Sequence, residues 1–313
     1  MKRDHFELKF TTADTGSERF FQPCSPVAKS DLALKSTVEW TVPSLERMSY
    51  QGKVYISSDE IEKVVSLRFQ SRLDQILDKG AIRIGTTGDY KPFTYLNPHT
   101  DQYEGFDIDA AYRLAHDLGV EVQFVRTSWP KMMDDFQNDK FDIAMGGISR
   151  SLERQKLAHL TQPYFSDGKA PLIRNEDKGI YKSLEDIDRS NVRIGVNPGG
   201  TNEKFVLENI KNAKVSVIKN NLAIPQMVAE GTFDVMITDH IEAVYYSRID
   251  PRLHAAMRGQ PFTKSEKVYL IHRGDLDYQN WIALWLEELN QQGELERLKV
   301  KWGLAQENID KTG

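Results

Sequence analysis

Asp139-Lys140-Phe141-Asp142-Ile143-Ala144-Met145 returns later in the chain as Gly231-Thr232-Phe233-Asp234-Val235-Met236-Ile237. In both stretches a helix-like segment ends, a turn follows, and an apolar run of strand length begins. The repetition predicts two similar α/β lobes, each with its own parallel sheet, whose strand ends face a shared cleft.

Outward from this pair, strand and helix patterns alternate. Strands are expected over 81–86, 120–125, 141–145, 192–196, 215–218 and 233–237. Helices are expected over 73–77, 107–118, 129–136, 202–210, 225–229, 276–289 and 293–302. In 107–118, Ile108, Ala111, Leu114, Ala115 and Leu118 fall on one helical face. Residues 1 to about 71 read differently. Polar residues interrupt each apolar cluster there, with only a short strand at Val54-Tyr55-Ile56 and a capped helix start at 58–65 suggested. That region is expected to be a partly ordered extension.

Five polar clusters stand where strands should meet loops or helices. They are Gly88-Asp89-Tyr90-Lys91-Pro92-Phe93, Thr127-Ser128-Trp129-Pro130, Gly147-Ile148-Ser149 with Leu152-Glu153-Arg154, Asn197-Pro198-Gly199-Gly200-Thr201-Asn202-Glu203, and Thr238-Asp239-His240-Ile241-Glu242-Ala243. Ligands of open α/β sheets bind at the carboxyl ends of strands, so the five clusters point to one convergent site. The glycines after Asn197 let backbone N–H groups approach a ligand, and Thr201 suits a helix N-cap. The run lacks the Gly-Lys-Ser/Thr ending and the dinucleotide glycine spacing, so it is not a nucleotide loop.

Composition narrows the classes. The 313 residues are ample for two lobes, and a net charge of −5 gives no broad basic surface for nucleic acid. Cys24 is the only cysteine, which excludes an internal disulfide or a cysteine-rich metal site. The seven histidines have no metal-ligand spacing, and His240 reads as helix surface. No metal and no organic cofactor is expected. No run approaches the roughly 20 apolar residues of a membrane span. Met1-Lys2-Arg3 is followed by Asp4, His5 and Glu7 with no apolar core, so no secretory signal is read.

The motifs, in this order and spacing, resemble the type 3 extracellular solute-binding family of two-lobe amino-acid-binding proteins. Gly105-Phe106-Asp107-Ile108-Asp109, Arg154 and Thr238-Asp239 are common to that fold. The strings 88–93, 127–130, Asp167-Gly168-Lys169, 197–203, Glu242 and Glu266-Lys267-Val268-Tyr269-Leu270 resemble its cyclohexadienyl dehydratase branch. The likeness runs from about 71 to 304. It implies a periplasmic-binding-protein-like type II fold, with residues 72–171 and 270–304 in one lobe, 172–269 in the other, and 305–313 as a tail.

That resemblance implies a lyase that converts prephenate, and by extension arogenate, with loss of water and carbon dioxide. Arg154 would clamp the side-chain carboxylate, a match for its planar fork. Glu242 would be the proton donor and Lys169 a second catalytic group touching a carboxylate or the departing hydroxyl. Tyr90 and Trp129 would wall the ring, with Asp89, Ser149, Asn197 and Thr201 as further substrate contacts. Asp239 holds the ligand ammonium in amino-acid-binding relatives, so its retention is expected to permit arogenate. The other reading is a non-catalytic binder of amino acids or carboxylates for uptake or sensing. The resemblance implies a periplasmic protein, against a cytoplasmic one as the sequence is written. Assembly into a homo-oligomer is left open.

Overall fold

The computed structural model describes residues 9–11, 18–20, 71–257 and 260–305. The strand and helix suggested at 54–56 and 58–65 lie outside the described residues. The chain divides at Gln70/Ser71. Within the first unit, Lys9–Thr11 and Glu18–Phe20 pair antiparallel.

From Ser71 onward there are two principal sheets. The first has the strand order Phe165–Asp167, Ser265–Ile271, Ile143–Ser149, Ala81–Thr86, Glu121–Arg126, with His159–Leu160 also paired to Ser265–Ile271. The second has the order Lys214–Val217, Arg193–Val196, Val235–Asp239, Lys169–Arg174, Leu253–Ala255. In each, three strands are parallel, and the strand by which the chain enters from the other sheet, Ser265–Ile271 in the first and Lys169–Arg174 in the second, runs antiparallel to them. Helices Phe106–Leu118 and Leu276–Gln291 pack apolar faces on the first sheet's core. No helix among the described residues is long and apolar enough to cross a membrane.

The repeated motif has a physical basis that the sequence only hinted at. In the first sheet, Arg83 donates to Asp142 from its backbone N–H (2.8 Å), Nε (3.2 Å) and Nη2 (2.7 Å). In the second, Arg193 donates to Asp234 through the same three groups at 2.9, 3.0 and 2.7 Å. The preceding phenylalanines also play equivalent parts. A Cβ on Gly85 would lie 2.5 Å from the Phe141 ring, and one on Gly195 would lie 2.7 Å from the Phe233 ring. Each Phe-Asp pair therefore locks the entry of one strand against its neighbour, the ring by packing and the carboxylate by a charged fork.

Hydrogen bonding sets the changes of sheet at Gly168 and between Ala255 and Ser265. The expected breaks at 171/172 and 269/270 fall inside the strands Lys169–Arg174 and Ser265–Ile271. We propose that the lobes divide at the two crossings instead. Two local expectations shift. Trp129 and Pro130 lie in a turn ahead of the helix Met132–Gln137, and Thr201 is the first residue of Thr201–Asn209, with Gly200 at the cap.

Because the two Arg–Asp forks are equivalent, Asp142→Asn and Asp234→Asn should each destabilise the protein by about 1–3 kcal/mol in urea unfolding. A loss confined to one variant would show that the repeat is not a pair of equal locks.

Candidate active site

The strand Val235–Asp239 is buried along its whole length and ends at Asp239, which caps the helix His240–Ile249. Asp239 does not use its side chain as a cap. Lys169 lies directly opposite it in the neighbouring strand and donates from Nζ to Asp239 Oδ1 at 2.7 Å. Lys267, on the strand that returns the chain to the first sheet, donates to Oδ2 at 2.6 Å. Tyr90 Oη donates to the same oxygen at 2.5 Å. All four side chains are buried, Lys267 completely. Burial alone would raise the Asp239 pKa, but the two ammonium groups outweigh it and hold the carboxyl well below its usual range.

Ser149 is the meeting point on the first sheet. Helix Leu152–Leu157 is capped by Ser151, and Arg154 in its first turn folds back to donate from Nη1 to the Ser149 carbonyl at 2.5 Å. Lys267 Nζ donates to Ser149 Oγ at 2.9 Å. Burial lowers the Arg154 pKa to about 10, so it remains a cation at neutral pH. Two residues earlier on the same strand, Gly147 is anchored: Asp107, fully buried, accepts from the Gly147 N–H, Tyr164 Oη and Tyr269 Oη at 2.5, 2.8 and 2.8 Å.

The aromatic wall comes from two loops of the first lobe. Tyr90 and Trp129 meet edge to face at 5.7 Å between centroids, and Trp129 Nε1 donates to Asp89 Oδ1 at 3.1 Å. Burial raises the Asp89 pKa, with hydrogen bonds opposing it. Across the cleft, a Cβ on Gly199 (φ +75°) would fall 2.6 Å from Pro130, so the backbones touch there as only glycine allows.

Glu242 sits one turn into the helix after Asp239 and is completely buried. Thr238 Oγ1 donates to its Oε2, and Asn221 Nδ2 lies 3.4 Å from its Oε1. Asn202 Nδ2 approaches Thr238 Oγ1 at 3.4 Å, which leaves the threonine proton for Glu242. Burial first, then the nearby Asp239 and Asp89 carboxylates, push the Glu242 pKa up to about 8. Glu242 therefore carries a proton at neutral pH. With Oε2 accepting from Thr238, that proton belongs on Oε1.

Tyr90, Trp129, Ser149, Arg154, Asn197, Thr201 and Asp239 all line one narrow cavity. Asp89, Lys169 and Glu242 stand directly behind this lining, each bonded to a residue on it. Lys169 also donates to Thr201 Oγ1 (2.8 Å) and Asn202 Oδ1 (2.5 Å), so Thr201 serves the cavity rather than the helix end. Both Asp239 oxygens are engaged, so a ligand ammonium would have to displace a lysine or Tyr90. Sequence reasoning overlooked Lys267, Asn202, Asn221 and Thr238 as site residues. Lys267 was signalled by the 266–270 string, but Asn221 follows an edge strand in an unremarkable polar loop.

Holding a proton on Glu242 has a consequence for stability. Its folded pKa of about 8 lies above the 4.5 of an unfolded glutamate, so folding takes up a proton between those values. The cost is absent below pH 4.5, grows as pH rises, and is complete above about 8. Glu242→Gln, which imitates the protonated acid, should therefore gain in melting temperature over the parent as pH rises from 4.5 to 8. A difference independent of pH would contradict a raised pKa.

Comparison with known proteins identifies the family. The family profile for bacterial extracellular solute-binding proteins, family 3, matches residues 82–305. A cyclohexadienyl dehydratase of Pseudomonas aeruginosa is 46% identical over 233 residues, covering 74% of this chain and 86% of the relative. Among solved structures, an ancestral amino acid-binding protein described as a precursor of cyclohexadienyl dehydratase is 35% identical, covers 74% of this chain and 99% of its own, and superposes with a TM-score of 0.69. An ancestral arginine-binding protein bound to arginine is 28% identical, covering 71% and 98% of the two chains, with a TM-score of 0.64. The chain thus has a two-lobe fold with a cleft between the lobes, and it belongs to the bacterial extracellular solute-binding proteins, family 3.

Proposed function

We propose that this chain is a cyclohexadienyl dehydratase, a lyase that converts prephenate to phenylpyruvate, water and carbon dioxide. The observation that carries the reading is Glu242, a fully buried carboxyl that keeps its proton at neutral pH beside a cavity lined by Arg154 and backed by Lys169 and Lys267. A binding protein has no use for such a group, whereas a leaving hydroxyl does.

The side-chain carboxylate sits at Ser149, between the Arg154 guanidinium and the Lys267 ammonium, which already converge there. The ring lies against Tyr90 and Trp129. Glu242 passes its Oε1 proton to the ring hydroxyl as the C–O bond breaks. The bond to the ring carboxylate breaks in the same sense, its electron pair completes the aromatic ring, and carbon dioxide leaves. Glu242 regains a proton from solvent. Lys169 keeps Asp239 ionised and orders Thr201 and Asn202 around the cleft. Lys169 and Lys267 flank the ionised Asp239 carboxylate and Arg154 lines the same cavity, an excess of positive charge that suits a dianion. Arogenate is the second substrate in this reading; its ammonium must compete with Lys169 and Lys267 for Asp239. We assign the protein, with its family, to the periplasmic or extracellular side.

The alternative is a non-catalytic binder, as the names of the more distant relatives have it for those proteins. Its usual need is an open carboxylate for the ligand ammonium, and here both Asp239 oxygens are occupied.

Purified protein should form phenylpyruvate from prephenate, and Glu242→Gln should lower kcat about 10²–10⁴-fold. Turnover in the parent should fall as pH rises through about 8, because the acid must be protonated. Tight amino-acid binding without any turnover would favour the binder.

A further inference from the structure

Asn221 opens the short 3₁₀ turn Asn221–Ala223, lines the cavity, and is 2% exposed. Its Nδ2 lies 2.9 Å from the backbone carbonyl oxygen of Asp89, on the opposite side of the cleft. A carbonyl oxygen only accepts, so this atom is the amide nitrogen and the orientation of the side chain is settled. The same Nδ2 is 3.4 Å from Glu242 Oε1. The remaining atom, Asn221 Oδ1, is buried and has no hydrogen-bond partner. Buried polar atoms are almost always paired, so an unpaired acceptor on a residue that lines the cavity calls for an explanation, and a ligand's donor supplies one.

We propose that Asn221 Oδ1 accepts the proton of the substrate's ring hydroxyl and so aims that oxygen's lone pair at Glu242. The inference rests on the dehydratase reading above. A hydroxyl has one proton and two lone pairs. With its proton held by Oδ1, a lone pair is turned toward Oε1, the oxygen nearest Asn221. When Glu242 gives up its proton, the C–O bond breaks and the departing water still donates to Oδ1. No further reactant is needed. Nδ2, meanwhile, ties the residue to Asp89 across the cleft, so the acceptor is in place only when the lobes are together.

The product phenylpyruvate lacks the ring hydroxyl, and this separates an acceptor from a simple bridge between lobes. Asn221→Leu, close to asparagine in size, should lower kcat on prephenate roughly 10- to 100-fold while phenylpyruvate affinity stays within about twofold. Asn221→Asp keeps an acceptor oxygen and loses the amide donor, so it should stay within about tenfold of the parent. This second variant also serves if the leucine variant does not fold. Parallel loss of turnover and product binding would overturn the proposal, as would equal losses in both variants or an unchanged kcat. Failure of the parent itself to turn over prephenate would instead bring down the dehydratase reading, and this inference with it.

Discussion

The Lys169–Asp239–Lys267 cluster is the constraint on which the site depends. Each member sits where the chain changes sheet or ends a strand: Lys169 just after the first crossing, Lys267 just after the second, and Asp239 at the end of the central strand of the second sheet. A buried charge without partners is prohibitively expensive, so none of the three can be placed alone. Their mutual satisfaction fixes how the two crossing strands approach each other. It thereby brings the Ser149 edge of one sheet to the Thr201 edge of the other, 3.5 Å apart at their hydroxyls.

The same cluster sorts the carboxyls. Asp239, between two ammonium groups, is held ionised. Glu242, one turn further on the same helix, is just as buried but faces Thr238 and Asn221 instead of a cation. It therefore keeps a proton, with Asp239's own charge adding to the effect. Two carboxyls three residues apart thus take opposite protonation states, which is the arrangement that acid catalysis at neutral pH demands. On the near side of Asp239, burial and its negative charge also raise the Asp167 pKa.

The fold was legible because its signals are local. The Phe-Asp echo marks real equivalents, down to Gly85 under Phe141 and Gly195 under Phe233. The strand at Ala81–Thr86 coincides with its apolar run, and the helix after Leu276 with its amphipathic face. The candidate site residues named by motif do converge on one cavity or its backing. What could not be read depends on partners far apart in sequence. Lys267 is an ordinary residue of a strand until Asp239 is seen opposite it, and Asn221 gains meaning only from Asp89, 132 positions away. Thr201 looked like a cap because the local pattern favours one, but Lys169 claims its hydroxyl.

The most direct test of the central claim is the protonation state of Glu242 itself. Infrared difference spectra of the purified protein across pH should show a protonated carboxyl that ionises near pH 8. That signal should vanish in Glu242→Gln. Absence of a Glu242-dependent carboxylic acid signal at pH 7 would mean that the glutamate is already ionised, and it would remove the proton donor from this site.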